Sequence, residues 1–297
     1  MQPPEEDERS AFHRHRGLVF TLAYDILGTV ADAEDVVQET WLRWAGVDPA
    51  GVDNPRAYIA RVATRLAVDR LRRLQRLLRE DYVGPWLPEP LVEPADPADG
   101  IARAEAVTFG LLVVLRTLSP LERAAFVLRE AFGFEHAEIA RVLDRSPEAV
   151  RQLVHRARRH VQERRPRFEA DRHAARAVAE RFVAAAVGGD LAELLTALAP
   201  DVVLWNDGGG RAPAALRPVR GSDKVARLLA AVGPDFAGFT PVWIPSGGGP
   251  TVVLIAEDGP RAVVAVETDP SGRFVQAVHA LANPDKLRHV NAAAGRP

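Results

Sequence analysis

The chain of 297 residues contains no cysteine. It therefore forms no disulfide and no thiolate metal site. Its eight histidines are scattered and assemble no recognisable ligand spacing, so no metal and no cofactor is expected. Long apolar runs are also missing: no window approaches the ~18 uncharged residues that a membrane span requires. The opening stretch, MQPPEEDERSAFHRH, is polar and acidic, unlike a signal peptide. Together these absences point to a cytoplasmic protein with no membrane partner. Lysine is nearly missing, since Lys224 and Lys286 are the only two and the remaining 36 of 38 basic residues are arginine.

What is present is ordinary in bulk and uneven along the chain. Composition is 47% hydrophobic and 26% charged with a net charge of −2, values typical of a folded globular protein. Residues 1–50 hold ten acids against four arginines, residues 56–79 hold eight arginines and one acid, and residues 151–167 hold seven arginines and one acid. Such segregation suits a protein that meets another protein on one face and a nucleic acid on others. In ADAEDVVQETWLRW, helical spacing places Val36, Val37, Thr40, Trp41 and Trp44 on one buried stripe, with Asp32 as the expected N-cap. Asp35, Gln38, Glu39 and Arg43 fall on the exposed side. Asn54 and Pro55 start a second helix, whose apolar face is Ile59, Val62, Ala63, Leu66, Leu71 and Leu74. Arg61, Arg65, Asp69, Arg72, Arg73 and Arg76 fall largely on its other side.

Residues 81–100 hold five prolines, two glycines and five acids and read as a linker. Within it WLPEP (86–90) is anomalous, because Trp86 and Leu87 gain nothing from a linker unless they dock, although single exposed apolar residues are common. Residues 136–161, HAEIARVLDRSPEAVRQLVHRARRHV, read as a helix-turn-helix. Ile139, Ala140 and Leu143 form the buried side of the first helix. Ser146 caps the second, and Pro147 suits its first position. Val150, Leu153, Val154, Ala157 and Val161 are its buried face. Glu148, Arg151, Gln152, His155, Arg158 and Arg159 stay outside, where the first of them would reach base edges and the later arginines phosphates.

After residue 201 the pattern changes to β-type runs, DVVLW, TPVWI, TVVLIAE, RAVVAVET and FVQAVHALA, interrupted by the helix SDKVARLLAAV. With the two helices expected over 171–198, this predicts an α+β domain with helices on an antiparallel sheet.

ADAEDVVQETWLRW, NPRAYIARVATRLAVDRLRR and LSPLERAAFVLREAFGFEHAEIARVLDRSPEAVRQLVHRARR resemble an extracytoplasmic-function sigma factor. WLPEP, DGGGR (207–211) and NPDKL (283–287) resemble the signature elements of one subgroup, which carries a C-terminal SnoaL-like domain of the nuclear-transport-factor-two-like fold. The resemblance implies a multidomain chain with two all-α sigma domains, the second a helix-turn-helix, followed by an α+β cone. It divides the chain into sigma region 2 (1–80), a Pro-rich linker (81–100), sigma region 4 (101–167) and a SnoaL-like domain (168–297). It implies promoter-directed transcription initiation with core RNA polymerase, no catalytic residue, and modulation by the C-terminal domain. Asp35, Gln38, Glu39 and Arg43 would meet the β′ clamp helices, and region 4 would meet the β flap. Arg61, Arg65, Asp69, Arg72 and Arg73 would approach the −10 element, with Arg65 on phosphate. Ser146, Glu148, Arg151, Gln152, His155, Arg156, Arg158 and Arg159 would approach the −35 element.

NDGGGRA lacks the spacing and the Lys-Ser/Thr of a phosphate-binding P-loop. Glycines also serve where backbone must approach another surface closely. The expectation is a docking loop in which Asp207, Gly208, Gly209, Gly210 and Arg211 meet Asn283, Pro284, Asp285, Lys286 and Leu287, together with Trp86, Leu87 and Pro88. Strand alternation puts His279 on a face with Val275, Ala277 and Leu281, and Glu267 on a face with Val263 and Ala265. The two are either a pocket pair suited to proton transfer on a small-molecule ligand, or a hydrogen-bonded core histidine and an edge carboxylate. The alternative for the whole chain is a helix-turn-helix regulator whose cone senses a ligand or acts as a small-molecule isomerase or cyclase.

Overall fold

The computed structural model describes residues 5–48, 51–91, 109–164, 172–244, 249–288 and 290. They form two compact units. One comprises residues 5–79 and 111–164, and the other residues 80–91, 109–110 and 172–290. Among the described residues no helix is long and apolar enough to cross a membrane.

The first unit is helical. Its N-terminal half consists of α1 (Glu5–Leu27), α2 (Val30–Trp44) and α3 (Pro55–Glu80). The cap of α2 is Thr29, not the expected Asp32. Asp32 sits in the first turn, accepts a 2.5 Å hydrogen bond from the Thr29 hydroxyl and pairs with Arg70 of α3. A carboxylate there also complements the positive helix end. Trp44 is buried as expected, whereas Trp41 is half-buried against Phe12 and His13. The C-terminal half holds α4 (Phe109–Leu115, whose first two residues belong to the second unit), α5 (Pro120–Glu130), α6 (His136–Leu143) and α7 (Pro147–Arg164). Ser119 and Glu122 form a reciprocal capping box at the start of α5, which satisfies two backbone donors that the first helical turn cannot. At the joint between α1 and α5 lies Arg123, which is fully buried and donates from Nε to the Asp25 carbonyl. Burial lowers its pKa to about 10 against the opposing pull of Asp25.

The second unit packs α8 (Arg172–Gly188), α9 (Leu191–Ala197) and α10 (Ser222–Val232) on one face of a six-stranded sheet. The strands are β1 (Leu198–Asp207), β2 (Val219–Arg220), β3 (Thr240–Ile244), β4 (Thr251–Ala256), β5 (Gly259–Thr268) and β6 (Val275–Leu281), in the order β2-β1-β6-β5-β4-β3. The sheet is not wholly antiparallel. β1 runs parallel to β6, pairing Trp205 with His279 and Asp207 with Leu281, while the other pairs are antiparallel. Pairing the first long strand with the last is a long-range choice that local pattern does not encode.

Both faces of this sheet are apolar. Val202 and Leu204, Val252 and Leu254, Ala262 and Val266, and Val278 face the helices around Phe182. The alternate positions Val203, Val253, Val263, Ala277 and Leu281 are buried on the opposite face. Residues 80–91, expected as a separate linker, belong to this unit.

Candidate functional site

The helix-turn-helix is built as its sequence signals require. Asp144 ends α6 in the left-handed conformation (φ 54°), and the Ser146 hydroxyl accepts from Ala149 N at 3.2 Å. A short polar side chain is what that conformation tolerates best among residues with a Cβ. Val150, Leu153, Val154 and Ala157 are buried, while Ser146, Glu148, Arg151, Gln152, His155, Arg156, Arg158 and Arg159 are all exposed. The arginines are not bare. Arg151 pairs with Glu148 at 2.6 Å and Arg159 with Glu163 at 3.6 Å within the helix. Arg156 and Arg158 reach Glu122 and Glu130 of α5 at 2.8 and 2.6 Å. Burial pushes the Glu122 carboxyl up, but hydrogen bonds from Arg156 and Ser119 outweigh it and hold the group below the usual carboxylate range.

On α2, Asp35, Gln38, Glu39 and Arg43 are exposed, as expected. Their charges too are partnered: Arg70 bridges Asp32 and Asp35, and Arg43 pairs with Glu39. On α3, Arg65, Asp69, Arg72 and Arg73 are exposed and Arg61 is half-buried over the Tyr58 ring. Arg72 pairs with Asp69 at 2.9 Å. Arg65 donates from Nε to the Val142 carbonyl of α6 at 3.1 Å, a link between the two halves of the helical unit.

The third assembly lies wholly in the C-terminal unit and joins the three short motifs. Alternation along β1 carries Asp207 to the strand end on the face away from the helices, where its carboxylate is completely buried. Tyr82 donates its hydroxyl to Asp207 Oδ1 at 2.5 Å, and Leu87 N donates to Oδ2 at 2.7 Å. Lys286 Nζ donates to the same Oδ2 at 2.7 Å and to the Leu87 carbonyl at 2.6 Å. The ammonium also stands 4.0 Å from the centre of the Trp86 ring, where the ring quadrupole attracts a cation. Trp86 and Leu87 are buried, and Pro88 is buried with them.

The glycines have a steric role here. A Cβ on Gly209, whose φ is +56°, would lie 2.1 Å from Asn283 Nδ2, and one on Gly208 would lie 2.3 Å from the Ala212 carbonyl oxygen. Asn283 caps the Pro284–Lys286 turn and donates to the Tyr82 hydroxyl at 3.1 Å. Leu287 is buried beneath that turn. Arg211 and Asp285 pair with each other at 3.3 Å on the surface, and Pro284 is exposed. Tyr82 is the member that sequence reasoning missed. Its only signal is an aromatic residue in a stretch otherwise polar and proline-rich.

His279 and Glu267 are brought together, with Nε2 3.3 Å from Oε1. They share the sheet face away from the helices, beside Trp205 and Phe109. Val275 does not share it. The β5–β6 register shifts between Glu267 and Thr268, and Val275 joins the helix-side core.

Comparison with known proteins agrees with this division. Residues 11–77 match the model of Sigma-70 region 2, and residues 109–161 match that of Sigma-70, region 4. The chain is 41% identical over 293 residues to the ECF RNA polymerase sigma factor SigJ of Mycobacterium tuberculosis, covering 94% of this chain and 93% of that protein. It is 31% identical over 242 residues to SigG of the same species, covering 69% and 65%. The crystal structure of M. tuberculosis SigJ superposes with a TM-score of 0.73 at 38% identity, over 94% of this chain and 97% of that one. With two sigma regions in order, an exposed basic second helix in the helix-turn-helix and this likeness along nearly its whole length, the chain belongs to the extracytoplasmic-function RNA polymerase sigma factors.

Proposed function

We infer that this sigma factor initiates promoter-specific transcription with core RNA polymerase and that its C-terminal unit modulates it by gripping the connection between the two sigma regions. The single observation behind the modulation is Asp207. This buried carboxylate belongs to the C-terminal sheet, yet it accepts from Tyr82 and Leu87, which lie between the region 2 match ending at 77 and the region 4 match beginning at 109. A tether held there sets how far apart the two DNA-reading parts can move, so −10 and −35 elements at one spacing are favoured. No catalytic role is assigned to the chain.

In this reading Asp35, Gln38, Glu39 and Arg43 meet the β′ clamp helices, and region 4 meets the β flap. Arg61, Arg65, Asp69, Arg72 and Arg73 approach the −10 element. Arg151, Gln152 and His155 read −35 base edges, flanked by Ser146 and Glu148. Arg156, Arg158 and Arg159 supply phosphate contacts, for which Arg156 and Arg158 exchange their glutamates. The test is run-off transcription with purified core polymerase, comparing the native chain with Asp207→Asn on promoters of varied spacer length. The expected result is unchanged core binding, weaker transcription and a broader tolerance of spacer length. An identical spacer profile in the variant removes the tethering role.

A further inference from the structure

We propose that the sheet face turned away from the helices carries a binding site for a flat, uncharged aromatic molecule bearing a hydroxyl, and that Phe109 of the chain itself is the occupant this molecule displaces. The site is centred on His279, whose side chain is 3% exposed. Its ring stacks on Trp205 at 4.9 Å and 19°, and the Phe109 ring meets it edge-on at 5.9 Å. All three belong to the C-terminal unit. The helix-side core around Phe182 lies on the other face of the same strands, so this is not the space enclosed between helices and sheet.

The chemistry of the ligand follows from one atom. Glu267 Oε1 is 3.3 Å from His279 Nε2. Facing a carboxylate that only accepts, Nε2 is the nitrogen that carries the hydrogen whenever the ring holds a single one, and Nδ1 is then an acceptor. Nδ1 is buried and has no hydrogen-bond partner among the described residues, so its desolvation is left uncompensated. Phe109 supplies a ring and no donor. A hydroxylated aromatic ring supplies the same apolar body and the hydrogen that Nδ1 lacks. The Glu267 carboxylate, one-third exposed beside it, disfavours an anion.

The displaceable segment is fitted closely to this pair. A Cβ on Gly110 would fall 1.9 Å from Glu267 Oε1, so the residue after Phe109 has no room for a side chain. Phe109 is the first residue of α4, and the chain passes from the sheet unit into the helical unit at Leu111. A molecule that displaced Phe109 would therefore act at the start of the region 4 match. The inference deepens the reading of the C-terminal unit as a modulator and rests on it for its consequence in transcription. Binding itself is measured without polymerase.

The experiment titrates the full-length protein with p-cresol, with toluene as the same ring without a hydroxyl, and with benzoate as an anion. Calorimetry and the ring-nitrogen resonances of 15N-histidine-labelled protein are the readouts. The expected result is saturable p-cresol binding that shifts His279 Nδ1, toluene binding at least tenfold weaker, and none for benzoate. Phe109→Ala, which removes the internal competitor, binds p-cresol at least tenfold tighter. His279→Phe keeps the stack, lacks the acceptor and binds p-cresol and toluene alike. Equal binding of p-cresol and toluene to the native protein overturns the proposal. So does a p-cresol preference that survives in His279→Phe, or no saturable binding in either the native protein or Phe109→Ala. p-Cresol binding that leaves transcription unchanged removes the modulation and leaves the site standing. A spacer effect of Asp207→Asn without p-cresol binding does the reverse.

Discussion

The basic helix α7 and the linker clasp both pair basic side chains with carboxylates, and they use the pairs in opposite ways. On α7 the paired arginines are 45–68% exposed. Such pairs are worth about 0.2–1 kcal/mol each and weaken with salt. They keep the guanidinium groups extended at low cost, and a phosphate would offer charge-assisted hydrogen bonds of the same kind in exchange. In the clasp Lys286 is 8% exposed and Asp207 is fully buried. Removing one partner there strands the other in a dry site, at about 3–5 kcal/mol. The difference is between an exchangeable surface and a fixed joint, and it comes from solvent access and not from the residue types.

The largest expected effect tests the joint. Lys286→Met leaves the buried Asp207 carboxylate without its counter-charge, and thermal or urea unfolding should show a loss of about 3–5 kcal/mol. A loss below 1 kcal/mol would place the clasp in the same class as the surface pairs and dissolve the comparison. Next is Arg151→Ala on the reading helix. The fold should be unaffected, while affinity for the preferred −35 sequence falls by about 1–3 kcal/mol and preference relaxes at one position. A uniform loss across all sequences would move Arg151 to the phosphate class.

A smaller effect is expected at Arg158. Its alanine variant should weaken all promoters alike and lower the salt slope by about 1. Glu130→Gln, which frees Arg158 from its carboxylate, should strengthen non-specific DNA binding slightly. No change in either would show that the Arg158–Glu130 pair stays closed on DNA, as the clasp does.

The smallest effect is one of pH. The Glu122 carboxyl is held below its usual value of 4.5, so it binds fewer protons folded than unfolded at acid pH. Its contribution is complete above pH 4.5 and is lost as the pH falls through the lower native value. Acid unfolding of Glu122→Gln should therefore be less steep than that of the native chain. Because Arg156 is half exposed, the difference should stay under about 1 kcal/mol. An unchanged acid limb would show that the pair makes no contribution to holding α7 on α5.

The helix-turn-helix was legible in the sequence because its determinants are local. Ser146, Pro147 and the spacing Val150–Leu153–Val154–Ala157 lie within one stretch, and every residue expected on its outer face is exposed. The glutamates that pair with it from α5 were not legible, since Glu122 and Glu130 stand 34 and 28 residues away from Arg156 and Arg158. The convergence of WLPEP, DGGGR and NPDKL was suggested by an apolar dipeptide in a polar linker and by glycines at a strand end. The atoms that make it, above all Tyr82 and the double use of Asp207 Oδ2, needed coordinates.

By itself the sequence indicated the main helices and five of the six strands, missing only the short β2, because periodicity and turn residues act within about one turn of the chain. It also determined that arginine would line the exposed face of α7 and that no thiol chemistry could occur. Only the tertiary structure decided which charges are buried. Asp207 and Asp285 are both loop-edge aspartates, yet one is sealed beneath Trp86 and Leu87 and the other faces solvent. It also decided that β1 lies parallel to β6, which sets Trp205 beside His279 and Asp207 within reach of Lys286. The physical reason is the same in each case: burial and strand order arise from contacts between residues far apart in the chain, and those contacts change the cost of a charge from almost nothing to several kcal/mol.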